Sequence, residues 1–143
     1  MSAFRPRLCA AALFASAFAF AAPADAARNG IAFAQAPEQS VGVCTGINAV
    51  NTLNCARAKC AAGGAPASQC LRQAWCYPGG WSADIFAQIS EGPHFHEFIC
   101  GMATRAAAEA VVTVKCDKTA RPNLIECKAV RFFDEAGTEF PVQ

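Results

Sequence analysis

The sequence predicts an α+β fold: two tandem strand–strand–helix–strand repeats, each stapled by disulfides, with a largely antiparallel sheet. Three observations carry this. First, the cysteine spacing repeats. Fifteen residues separate Cys44 from Cys60 and again Cys100 from Cys116. The next intervals, Cys60 to Cys70 and Cys116 to Cys127, differ by one residue. The same overlay aligns Lys59 with Lys115, Pro66 with Pro122 and, after one insertion, Trp75 with Phe132. Second, hydropathy periodicity gives the same element order twice. Third, an N-terminal targeting segment, once removed, leaves an even number of cysteines.

Residues 1–26 read as a secretory signal peptide. Arg5 and Arg7 form its basic start, and 8–22 is an uncharged apolar run too short to span a bilayer. Pro23 breaks the run before the small-x-small site Ala24-Asp25-Ala26. Removing Arg5, Arg7 and Asp25 from 12 basic and 11 acidic residues leaves no net charge. Such a balance gives no electrostatic case for a nucleic-acid partner or an anionic membrane. Cleavage also removes Cys9, one of nine cysteines. No other apolar run is long enough to cross a membrane, so no transmembrane segment is expected after cleavage. The expected location is exported, periplasmic or extracellular.

The first repeat is expected over 27–80. Residues 31–35 read as a strand with Ile31, Phe33 and Gln35 on one face. A turn at 36–40 leads to a second strand at 41–44, so the two form a hairpin. Asn48 is placed to cap a helix over 49–61 whose inner face would carry Val50, Leu53, Ala56 and Cys60. Gly63-Gly64 and Pro66 stop it, and 69–77 is the third strand. After the turn Pro78-Gly79-Gly80 the pattern restarts as the second repeat, 81–143. Residues 81–89 form a strand, 90–93 a turn, and 94–101 the second strand of a hairpin. Thr104 caps a helix over 105–117 with Ala107, Val111 and Val114 on one face. The last strand covers 124–133, and the tail 138–143 is expected to be weakly structured.

The run 81–133 resembles the small exported bacterial domains of domain-of-unknown-function family 4189. The residues that carry the resemblance are Trp81, Ala83, Gly101, Ala107, Ala110, Cys116 and Cys127. It implies an exported, disulfide-bonded module and no particular activity.

Cys44, Cys55, Cys60, Cys70, Cys76, Cys100, Cys116 and Cys127 read as a disulfide framework, because small exported units bury too little apolar surface to fold securely alone. No Cys-x-x-Cys pair is present to suggest a redox site or a zinc ribbon. The duplication suggests Cys60–Cys70 and Cys116–Cys127 as equivalent local bridges, Cys44–Cys100 joining the repeats, and Cys55–Cys76 as an extra staple. No cofactor is expected.

Three groups are candidates for chemistry. His94 and His96, two apart on a strand, project from one face, with Glu91 near them and Glu97 on the other face. With Glu91 they give a metal-binding or hydrolytic alternative, although a metal site needs three or four fixed ligands and only the two histidines are evident. Trp75, Tyr77 and Trp81 flank a tight turn, where aromatic faces can hold a ligand. Lys115, Lys118, Arg121, Lys128 and Arg131 are interleaved with acids and read as a solvated face. No phosphate, calcium or dinucleotide motif occurs. The leading reading is a non-catalytic binding or interaction module whose partner is a protein, peptide or envelope glycan.

Overall fold

The computed structural model describes residues 28–142. The expected signal peptide and Cys9 therefore lie outside the described residues. The order is β1 (Gly30–Ala36), β2 (Ser40–Gly46), α1 (Ala49–Ala62), β3 (Leu71–Cys76), β4 (Trp81–Ile89), β5 (Phe95–Met102), α2 (Arg105–Lys115), β6 (Leu124–Phe133) and β7 (Glu139–Pro141).

β1 is buried along its whole length. Its side chains alternate between two different neighbours. Ala32, Ala34 and Ala36 join Ala56 and Cys60 of α1 in one apolar cluster. Ile31 and Phe33 point the other way, into a cluster with Phe133, Phe98 and the Cys76 and Cys100 pair. The small residues suit the helix side because they let α1 lie close. The same demand is absolute at Gly42 on β2, where a Cβ would overlap the carbonyl oxygen of Ala56. The large residues suit the other side, where Phe33 stacks on Phe98 at 4.7 Å and meets Phe133 edge-on at 5.7 Å.

Two antiparallel sheets follow, ordered β2-β1-β3 and β5-β4-β6-β7. They do not merge into one sheet; they face each other across the Ile31, Phe33 and Phe133 cluster. In β4, Ala83 and Ile85 pack toward α2 with Ile99, Ala108 and Phe132. The layers thus run α1, three-stranded sheet, four-stranded sheet, α2. In both sheets the first strand of the unit is central, flanked by its second and third strands. Trp75 stands opposite Ala32 and Phe132 opposite Ala83, each on the side that meets a helix.

Both expected caps are present. The Asn48 side chain accepts from the Asn51 N–H at 3.0 Å, and the Thr104 hydroxyl accepts from the Ala107 N–H at 3.1 Å. The helix faces differ from expectation. α1 buries Thr52, Ala56 and Cys60 and leaves Val50 exposed. The inner face is set by close approach to β2, which selects small residues over large ones. α2 ends at Lys115, buries Ala108 and leaves Val114 in solvent. The tail is not weakly structured throughout: Phe132 pairs with Phe140, so β7 extends the sheet and Phe140 packs on Trp81.

The bridges are Cys44–Cys55, Cys60–Cys70, Cys76–Cys100 and Cys116–Cys127. Two of the expected pairings hold. Cys44–Cys100 and Cys55–Cys76 do not. Cys44 points toward α1, away from the second sheet, so it closes on Cys55 of that helix. Cys76 and Cys100 meet in the inter-sheet cluster, and theirs is the bridge that joins β3 to β5.

Candidate functional site

The inter-sheet face of β4 carries Ser82 and Asp84, both with no solvent exposure. A buried carboxylate needs partners, and Asp84 has two. Its Oδ2 accepts from Arg131 Nε on β6 at 2.9 Å, and its Oδ1 lies 2.5 Å from His96 Nδ1 on β5. A carboxylate can only accept, so His96 Nδ1 is the donor in this contact and Nε2 is left for other contacts. Gln35 of β1 clamps the same residue from the other sheet: its Oε1 accepts from the His96 N–H at 2.9 Å, and its Nε2 donates to the His96 carbonyl at 2.6 Å. Arg131 continues outward to Glu139 of β7, Nη1 to Oε2 at 3.4 Å. No buried side-chain nitrogen or oxygen among the described residues lacks a partner.

This network floors an open cleft at the end of the β1–β2 hairpin. The cleft has a volume of about 290 Å3 and is lined by Glu38, Ser40, Val41, His94, His96 and Arg131. His94 Nδ1 stands 3.6 Å from Glu38 Oε1. A second cavity of about 230 Å3 adjoins it along β2, lined by residues 41–45 with Lys59, Arg131, Phe133 and Glu139. Val41 and Arg131 line both, so the two form one trough. The trough wraps the outer edge of β2, with α1 contributing Lys59 on one side and the second sheet contributing Arg131, Phe133 and Glu139 on the other.

The two histidines therefore do face one cleft, although the strand proper begins at Phe95. Glu91 is exposed and makes no ion pair among the described residues; each histidine has a different carboxylate, Glu38 or Asp84. Glu97 sits on the opposite face, bound to Arg121 at 2.6 Å and Lys115 at 3.4 Å. No group of three or more His, Cys, Asp or Glu among the described residues is arranged to hold a metal ion.

The aromatic candidates do not form one surface. Trp75 stacks on Tyr77 at 6.4 Å, with Tyr77 largely exposed. Trp75 also lies flat against β1, where a Cβ on Gly30 would collide with its ring. Trp81 belongs to the α2 side of the other sheet, against Phe140.

Sequence reasoning missed Asp84, Arg131, Glu38, Gln35 and Lys59. The signal for Asp84 was present. It is the one charged residue of the strand Trp81–Ile89, at an inward position two residues from another inward polar residue, Ser82. Comparison with family models, with curated proteins and with solved structures finds no match to this chain.

Proposed function

We propose that the protein is an exported, disulfide-stapled binding module, and that the trough along β2 is its ligand seat. The observation that carries this reading is the trough itself: two cavities joined through Val41 and Arg131 at an open sheet edge. Its polar floor is already internally paired, so the walls are held in place before a ligand arrives, which lowers the ordering cost of binding. Ser40, the one hydroxyl residue that lines the cleft with the histidines, donates to the Cys60 carbonyl at 2.6 Å and so is engaged in holding β2 to α1. Four bridges, the signal-peptide reading of 1–26 and the resemblance of 81–133 to an exported family support export. The common element order of the two units supports a duplicated origin.

The test is to screen the folded protein against a linear-peptide library and an envelope-glycan array, then to repeat binding with His94→Ala and Lys59→Glu. Both residues are partly or fully exposed, so the fold should survive. Binders weakened at least tenfold by either change support the trough. Binders indifferent to both place the ligand elsewhere, with Trp75 and Tyr77 as the next surface to probe.

A second reading, hydrolysis with His96 as general base, has one observation in its favour: Asp84 fixes the His96 tautomer from a fully buried position. Turnover of ester or peptide substrates that disappears in His96→Ala, with the fold retained, would establish it.

A further inference from the structure

The first sheet ends one strand early. It has three strands, ordered β2-β1-β3, while the sheet facing it has four, ordered β5-β4-β6-β7. β2 is terminal, and the trough beside it is flanked by Lys59 of α1 on one side and by β6 and β7 on the other. The fourth strand of the facing sheet lies beside its third strand, so the edge at β2 has no counterpart strand there and is open to an added one among the described residues. We propose that the trough takes an extended peptide segment of a partner protein, added as a strand along β2, with an acidic side chain directed at Lys59.

β2 pairs with β1 without a bulge from Gly30↔Gly46 to Ala36↔Ser40. In a regular antiparallel pair, alternate residues exchange both hydrogen bonds and those between them turn N–H and C=O outward. No backbone hydrogen bond from another element reaches 41–46 among the described residues. The outer edge of β2 thus offers a row of free donors and acceptors, the requirement for strand addition. Exposed edges are ordinarily guarded by lysine, proline, inward charge or a bulge. The segment Ser-Val-Gly-Val-Cys-Thr-Gly carries none of these.

The walls set the side-chain pattern. An added strand alternates its side chains between the α1 side and the facing sheet. On the α1 side stands Lys59, whose amine has no carboxylate partner among the described residues. On the other side stand Phe133 and Val43, with the Arg131 and Glu139 charges already paired to each other. The matching segment is therefore acidic at a position facing Lys59 and apolar at its neighbours. A single extended chain fits better than a second copy of this protein. The turn at Gly137 closes on Thr45, where an added Cβ would come within 2.6 Å of Cγ2, so the four-stranded sheet overhangs the slot. A second copy would have to bring its own sheet and helix past that overhang.

This inference rests on the trough being the ligand seat, and the experiment separates the two. Linear peptides selected against the folded protein are scanned by backbone N-methylation, and binding is followed with amide hydrogen exchange. Strand addition predicts that methylation at alternate peptide positions weakens binding at least tenfold while the intervening positions tolerate it. It also predicts new protection of β2 amides. Lys59→Glu should weaken acidic peptides at least tenfold, and exchanging the peptide acid for lysine should restore binding. Peptides sensitive to His94→Ala or Lys59→Glu but indifferent to N-methylation would overturn strand addition and leave the trough as the seat. Glycan binders alone, or a dimer sealed through β2, would overturn the peptide. Binders indifferent to every trough substitution would overturn both.

Discussion

Arg131 and Asp84 differ in what their removal leaves behind. Arg131→Ala strands a fully buried carboxylate with only His96 beside it, whereas Asp84→Ala strands an arginine that still reaches Glu139 and solvent. Leaving one buried charge unpaired costs about 3–5 kcal/mol. With His96 still bonded to Asp84, Arg131→Ala should lose up to about that much stability in a denaturant titration, Asp84→Ala less, and the double variant less than Arg131→Ala alone. Additive losses would mean the pair is not coupled. A smaller effect belongs to Asp117, whose carboxyl is held below its ordinary value chiefly by the Thr119 N–H, 2.8 Å away. A lowered folded-state value adds stability above the ordinary carboxylate range and loses it as pH falls through the lowered value. Asp117→Asn should flatten that acid-side slope in pH-dependent unfolding. The histidine pair was legible in the sequence because residues two apart on a strand share a face. Its pairing with Glu38 and Asp84, and the pairing of Asp84 with Arg131, were not, since these residues lie on three other segments brought near only when the sheets stack.

At the scale of elements, helix α1 and strand β2 are held by a close approach as well as by the Cys44–Cys55 bridge. Gly42 lies under the backbone of Ala56 and Cys60, with no flexible side-chain end to move aside. Gly42→Ala should cost about 1–3 kcal/mol by overpacking, with β2 and α1 amides losing protection first. An unchanged exchange pattern would show that α1 can ride further from the sheet than this geometry allows. The strand and helix order could be read from periodicity and capping chemistry. The inner face of α1 could not, because periodicity marks large apolar residues and this interface selects small ones. β7 escaped notice for a related reason: three residues carry too little pattern, and only pairing with 131–133 defines them.

For the whole molecule, the decisive feature is two sheets stacked face to face with a helix outside each. β1 is buried on both sides because it serves two interfaces at once. Cysteine spacing showed two of the three local bridges, those in which ten or eleven residues return a helix end to the next strand, and missed Cys44–Cys55, which ties a strand to the following helix. It could not show the bridge between sheets, which depends on which strand faces leave Cys76 and Cys100 together. Such cross-links typically add about 2–4 kcal/mol by restricting the unfolded chain. The same stacking leaves the four-stranded sheet overhanging β2 and so creates the trough. The most direct test is therefore a non-reducing peptide map of the oxidised, folded protein. A linked fragment containing Cys76 and Cys100, with Cys44 joined to Cys55, is the predicted result. Cys44 joined to Cys100, or free thiols at 76 and 100, would contradict the stacked arrangement and with it the proposed ligand seat.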